Sequence, residues 1–293
     1  MKTFTLRNGV SIPAPGFGTY SRNYDFTEEA IANALKTGYR HFDTATLYRD
    51  EDLIGSAIRR SGIPRSELFL TTKVWKTDMG YDRTLRSFEA SCKKLQTDYL
   101  DLLLIHWPVP EYGPVNDPCR PEDAQDTPWE VLCRDTWRAM EKLYEEGAVR
   151  AIGVSNFLPH HLMRLSADAG VLPMVDQIEF HPGYTQQYTV DYCRAHSIVV
   201  EAWRPMAKQF LANEPLLLEL AAQYERSVAQ ICIRFALQSG VLPLPSSKNP
   251  ARMAENFNIF DFELSEYDMS RLSTLPQMAW SGQHPDRKRA PEG

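Results

Sequence analysis

The chain lacks the features that would place it in a membrane, on nucleic acid or outside the cell. In 293 residues no apolar run approaches the ~20 residues needed to span a bilayer. The formal net charge is −6 and no segment forms a basic domain; the run Arg287–Arg289 is short and reads as a solvated tail. Neither nucleic acid nor a membrane surface is therefore expected as a partner. Cysteine is scarce and unpaired: Cys92, Cys119, Cys133, Cys193 and Cys232 are odd in number, scattered and free of any CxxC. They read as reduced thiols, not as a disulfide framework or a zinc site. The N-terminal MKTFTLRNGV has no apolar core of the kind a secretory signal carries, so a cytoplasmic protein is expected. A Rossmann fingerprint is also missing. Gly16-Phe17-Gly18-Thr19 has no third glycine and opens no long helix. No repeat, low-complexity tract or linker divides the chain, and one domain over residues 1–293 is expected.

What the chain has is alternation. Eight short apolar runs each precede an amphipathic segment: Ala14–Thr19, Arg40–Asp43, Leu68–Lys73, Leu100–Ile105, Ala151–Val154, Met174–Glu179, Ile198–Ala202 and Val241–Leu244. Helical periodicity is clearest in Thr27–Lys36, Glu51–Ser61, Asp82–Lys94, Thr136–Glu146, Glu214–Tyr224 and Ser265–Thr274. Start signals include Asp82, Pro159 after Asn156, and Ser265 with Asp268. Strand–helix units whose strands read as continuous apolar runs bury both strand faces. This predicts an α/β fold, a single closed (β/α)8 TIM barrel. Asn8-Gly9 between Phe4–Leu6 and Ser11–Pro13 predicts an N-terminal β-hairpin, placed under the barrel. A hydrophobic fraction of 43% is enough for such a core. The longest connection, Trp107 to Asp135, is rich in Pro, Asp and Glu and belongs to the catalytic face, where strand-to-helix loops lie.

Four polar residues fall at or just past the ends of three successive runs: Asp43, Tyr48, Lys73 and His106. Each alone is more often structural than catalytic. Together, on the face where barrels hold their active sites, they suggest one centre. A phenol is a poor acid, with a reference pKa of roughly 10. A neighbouring cation that favours phenolate makes it a usable proton donor near neutral pH, and Lys73 is placed to do so, with Asp43 to hold the lysine. Tyr20, Trp75 and Trp107 lie just past strand ends and are candidate pocket walls, with His106 beside them. Trp280 could join them from the tail. Tyr24, Met79 and Met206 carry no signal separable from packing. His160-His161 and His181 look metal-like only in isolation, without complementary ligand spacing.

The sequence resembles the aldo-keto reductase family, in the manner of its bacterial diketo-gluconate and glyoxal reductases. Gly38, Tyr39, Arg40, Asp43, Ala45, Glu51, Ile54 and Gly55 match its first signature. Arg150–Phe157 (RAIGVSNF) matches the second, and Leu244–Asn256 (LPSSKNPARMAEN) matches the third with one departure. The resemblance runs from Asn8-Gly9 to about Thr274. It implies that Tyr48 donates the proton to a carbonyl oxygen, that Lys73 lowers the phenol's pKa, that Asp43 fixes the lysine, and that His106 orients the carbonyl. It also implies an extended nicotinamide dinucleotide across the barrel top. Ser155, Asn156 and Gln177 would then bind the carboxamide and Trp203 would stack on the nicotinamide ring. For Ser155-Asn156 the plain alternative is a helix cap, and for Trp203 it is core packing.

Two positions depart from the family. Ser246 stands where a basic residue usually contacts the adenosine 2′-phosphate, leaving Lys248 and Arg252 nearby, with Ser247 and Asn256 in the same segment. Arg204 replaces a small residue and could reach the pyrophosphate or pair with a surface acid. The resemblance thus implies a monomeric NADPH-dependent reductase of small aldehydes, α-dicarbonyls or keto sugars, with NADH as the other dinucleotide and no metal. The alternatives are NAD-linked alcohol oxidation, motivated by Ser246, and a dinucleotide-sensing regulatory barrel. A complete tetrad argues against the sensor, which needs no proton donor. Fold alone does not decide among chemistries.

Overall fold

The computed structural model describes residues 2–21, 23–109, 128–207 and 210–286. A hairpin of β1 (Lys2–Thr5) and β2 (Ser11–Ala14) comes first, paired antiparallel around the Asn8-Gly9 turn. Eight parallel strands follow: β3 (Phe17–Gly18), β4 (His41–Asp43), β5 (Phe69–Val74), β6 (Leu102–Ile105), β7 (Ile152–Ser155), β8 (Val175–Glu179), β9 (Val199–Trp203) and β10 (Leu242–Leu244). Each pairs with the next in sequence order. The ring closes through Gly16 N–H and Gly18 N–H, which donate to the carbonyls of Pro243 and Pro245 at 3.1 and 3.0 Å. This is the expected (β/α)8 barrel, and every expected strand run overlaps one barrel strand, with β5, β7 and β9 running one residue past the expected ends.

Around the sheet lie α1 (Glu28–Thr37), α2 (Glu51–Ser61), α3 (Tyr81–Leu95), α4 (Trp129–Glu145), α5 (Pro159–Ser166), α6 (Gln187–Ala195), α7 (Pro215–Tyr224), α8 (Val228–Gln238), α9 (Pro250–Phe257) and α10 (Glu266–Ser273). Ser265 caps α10 as expected, accepting from Asp268 N–H. Asp82 does not cap α3; it lies inside the first turn, and Gly80 is the residue before the helix. α4 starts at Trp129, not Thr136, so the long connection is shorter than its composition suggests; residues 110–127 of it, with Cys119, lie outside the described residues.

The period of two along β5 shows how strands divide the interior. Phe69, Thr71 and Lys73 turn inward: the Phe69 ring packs on His41, Thr71 bonds His41, and Lys73 meets Asp43. Leu70 and Val74 join the core between strands and helices, and Thr72 donates to Glu51 of α2. The lower interior is apolar. There Leu6, Ile12 and Ala14 of the hairpin segment pack with Phe69, Leu102, Leu104, Leu242 and Leu244, so the hairpin seals the bottom. The upper interior is polar, and the site is built there.

Two signature glycines have physical reasons. Gly38 ends α1 at φ 115°, a left-handed conformation that only glycine adopts freely. A Cβ on Gly55 would lie 2.5 Å from the Lys94 carbonyl oxygen, so α2 could not approach the end of α3 as it does.

Candidate active site

β4 ends at Asp43, and the chain then turns through a 3-10 segment, Thr46–Tyr48, that swings Tyr48 back over the strand ends. β5 carries Lys73 in register beside β6, and His106 follows β6 directly. The Lys73 ammonium donates to Asp43 Oδ2 at 2.8 Å, to the Thr44 carbonyl at 2.9 Å and to the Tyr48 hydroxyl at 3.4 Å. An ammonium has three hydrogens, and all three have acceptors. That satisfaction is what makes a fully buried lysine tolerable beside Asp43. It also leaves the hydroxyl hydrogen of Tyr48 free to donate elsewhere. The Tyr48 ring contacts Tyr20 at 5.1 Å and His106 at 5.6 Å, and Trp75 meets His106 at 4.9 Å. The structure thus brings together the expected tetrad with Tyr20 and Trp75. Trp107 adjoins them through Lys76, whose ammonium lies 5.2 Å from the Trp107 ring and 5.7 Å from the Trp75 ring.

The electrostatics correct one expectation. Burial pushes the Tyr48 phenol well above its ordinary value, and Asp43, Asp50 and Tyr20 push the same way. Lys73 therefore does not produce a net lowering. The physical reason is desolvation of phenolate together with nearby carboxylates. The arrangement keeps the phenol protonated, the form a proton donor needs. Asp50 is itself buried beneath Thr44, which donates to its Oδ1, and burial raises its carboxyl to about 6.

Around β7–β9 the polar side chains interlock. Ser155 Oγ donates to the Gln177 carbonyl at 2.8 Å. Asn156 Nδ2 donates to the His106 carbonyl at 3.0 Å and to Ser155 Oγ at 3.1 Å, while its Oδ1 accepts from Trp203 Nε1 at 2.9 Å. Ser155 ends β7 and the residue before α5 is Leu158, so the pair is not the cap of that helix. Gln177 Nε2 donates to Asp43 Oδ1 at 2.8 Å and to Glu201 Oε2 at 2.9 Å. Trp203 stands half-buried at the end of β9, where the indole is tied by its nitrogen and is not simply core.

The outer residues are more varied. Ser246 is exposed just past β10. Ser247 bonds the Asn249 backbone, and Asn249 caps α9 through the amides of Ala251 and Arg252. Arg252 is exposed on the first turn of α9, and Asn256 is buried on the same helix. Lys248 is engaged with Asp25 in a short ion pair. Arg204 does not pair with a surface acid. Its guanidinium meets buried Glu179 at 2.9 Å, and the tail closes on the same carboxylate through Ser281, whose Oγ donates at 2.6 Å. Residues 276–286 thus fold over the strand-end face. Trp280 stacks on Tyr184 at 6.1 Å there. Met79 is core, Met206 packs on it, and Tyr24 is exposed under Arg49.

Sequence reasoning missed Glu201, His41, Glu179 and Asp286. The acids in IVVEAW and DQIEF were a signal: a carboxyl inside a buried strand needs a reason. Burial lifts Glu201 to about 8 and drops His41 to about 3, so these neighbours, 3.9 Å apart, are both neutral near pH 7. The tail brings Asp286 within 2.9 Å of His160 Nε2 and 2.8 Å of His161 Nε2. This cluster has the composition of a metal site, but Leu158 N–H donates to His161 Nδ1, so a neutral imidazole carries its proton on Nε2 and offers Asp286 a donor, not a metal a lone pair.

Comparison with known proteins agrees with this geometry. A family model described as the aldo/keto reductase family matches residues 15–276. Glyoxal reductase of Bacillus subtilis is 44% identical over 285 residues, 97% of this chain and 96% of that protein. The crystal structure of an aldo/keto reductase from Brucella melitensis superposes with a TM-score of 0.84 at 43% identity, covering 93% of this chain and 98% of that one. A Bombyx mori aldo-keto reductase solved in complex with NADP superposes at 0.83 with 32% identity, covering 93% and 92%.

Proposed function

Because the chain belongs to the aldo/keto reductase family, and is thus an oxidoreductase acting on carbonyls, we propose that it is an NADPH-dependent reductase of small aldehydes, α-dicarbonyls or keto sugars. The observation that carries this reading is the buried Asp43–Lys73–Tyr48 chain at the strand ends, with the Lys73 ammonium bonded to both partners. When bound, the dinucleotide supplies the hydride. Tyr48 delivers its hydroxyl proton to the carbonyl oxygen as charge develops there. Lys73 holds the phenol oxygen through a donated hydrogen bond, and Asp43 keeps that lysine placed and charged. His106, wedged between Tyr48 and Trp75, borders the carbonyl. Tyr20, Trp75 and Trp107 form aromatic walls that exclude water and suit compact substrates.

The donor set fits the cofactor. Trp203 offers a ring face, Ser155, Asn156 and Gln177 offer amide and hydroxyl groups, and Arg252 offers a guanidinium for a 2′-phosphate. Ser246 is exposed and uncharged and Lys248 is committed to Asp25, so Arg252 would carry most of the discrimination for NADPH over NADH. That observation supports the second reading, a NAD-linked alcohol oxidation. We place one catalytic unit across residues 1–293, working as a cytoplasmic monomer on small molecules without metal or nucleic acid. No helix among the described residues is long and apolar enough to cross a membrane. A panel of small carbonyls assayed with NADPH and with NADH tests the reading. Turnover of α-dicarbonyls with NADPH is the expected result; oxidation of alcohols with NAD⁺ outpacing every reduction would overturn it.

A further inference from the structure

Gln177 and Glu201 sit opposite one another in the register of β8 and β9, so their side chains share the inner face of the barrel. The Gln177 amide nitrogen has two hydrogens and two acceptors, Asp43 Oδ1 at 2.8 Å and Glu201 Oε2 at 2.9 Å. Asp43 is held by Lys73 and accepts only. Turning the amide over would set its oxygen against the Asp43 carboxylate and take from Asp43 Oδ1 its amide donor. The observed orientation leaves Oε1 as the amide's acceptor, and no hydrogen bond among the described residues ends on it. Its neighbours are spoken for: both hydrogens of Asn156 Nδ2 have partners and Ser155 donates to the Gln177 backbone.

We propose that Glu201 is a positioning residue for the dinucleotide: by taking the second hydrogen of Gln177 Nε2, it fixes the Gln177 oxygen as the acceptor for the N–H of the nicotinamide carboxamide. The inference rests on the dinucleotide reading above and deepens it. Glu201 touches no substrate and acts only through Gln177. Asp43, Lys73, His41 and Gln177 surround its carboxyl. Its neutral form serves, because the carbonyl oxygen of a protonated carboxyl still accepts a hydrogen bond. A glutamine in its place keeps an acceptor there, whereas a hydrocarbon leaves one buried N–H without a partner and lets the amide pivot about its remaining bond to Asp43, which moves the oxygen off the carboxamide.

The test compares two ligands that differ in the amino group of the carboxamide. NADP⁺ carries a carboxamide; its 3-acetylpyridine analogue has a methyl ketone with no N–H to donate. Dissociation constants for both are measured by calorimetry on the full chain, for wild type, Glu201→Gln, Glu201→Leu and the smaller, strand-compatible Glu201→Val. Wild type and Glu201→Gln should prefer NADP⁺ by similar ratios. In Glu201→Leu or Glu201→Val, whichever keeps the wild-type circular dichroism, that ratio should fall roughly fivefold, the worth of one hydrogen bond. A purely structural role would change stability and leave the ratio alone, and an unchanged ratio in a folded hydrocarbon variant overturns the proposal. So does a wild type that binds both ligands equally. Failure of wild type to bind NADP⁺ at all would instead sink the dinucleotide reading itself.

Discussion

Glu201→Gln should make the protein more stable, and increasingly so as pH rises. The Glu201 carboxyl is fully buried; burial first, and the charge of Asp43 second, raise it to about 8 from an ordinary 4.5, with Gln177 and Lys73 only partly opposing. Between those two values the unfolded chain has lost this proton while the folded chain keeps it. The unfolded state then binds fewer protons, so stability declines as pH increases, at roughly 1.4 kcal/mol per pH unit for one group. Across the whole window the loss is on the order of 4–5 kcal/mol, a large fraction of the roughly 5–15 kcal/mol that holds a domain folded. Glutamine has no proton to lose and keeps the hydrogen bond to Gln177. Urea unfolding at several pH values, read by tryptophan fluorescence, measures the difference. The two proteins should match near pH 4.5 and diverge steadily toward pH 8, with the variant ahead. His41 does not disturb this comparison: burial drops it to about 3, and it changes charge in neither protein across that window while folded. A stability difference that stays constant with pH would refute the reasoning, since it would mean that the carboxyl ionises alike in both states.

Tyr48→Phe should lower turnover by ~10²–10⁴-fold, the usual cost of losing a general acid, while calorimetric NADPH affinity stays near wild type; near-wild-type turnover would remove Tyr48 from its role. The raised Tyr48 phenol gives the pH profile its sign. With Tyr48 as the proposed donor, reduction uses the protonated form, so its kcat should hold through the range where an ordinary phenol ionises, whereas oxidation uses phenolate and should rise toward alkaline pH; parallel trends in the two directions would show that this proton does not control the rate. Arg252→Ala should weaken NADPH more than NADH, because the guanidinium proposed to meet the 2′-phosphate is lost. Ser246→Lys should favour NADPH by about fivefold, roughly 1 kcal/mol for an exposed charge pair. Equal weakening of both dinucleotides by Arg252→Ala, in Kd measured at two salt concentrations, would place the 2′-phosphate elsewhere.

Periodicity and punctuation in the sequence determined the alternating elements, the hairpin and the barrel class, because each strand must bury two faces and each helix one. They also put Asp43, Lys73 and His106 at strand ends, and the spacing to Tyr48 was legible as one more turn. The start of α4 was not, since the Pro- and acid-rich stretch before Thr136 hides a helix that packs through Leu132 and Cys133. Only the tertiary structure decided the charge states. Lys73 looked sufficient to lower the Tyr48 phenol, but a pKa is set by everything within a few ångströms, and burial with two carboxylates prevailed. Arg204 looked like a phosphate ligand or a surface residue until the fold set Glu179 and Ser281 beside it. Glu201 looked like part of an apolar run. Its partners come from β4, β5 and β8, far apart in sequence, and no local pattern can show which side chains a closed barrel will turn toward one another.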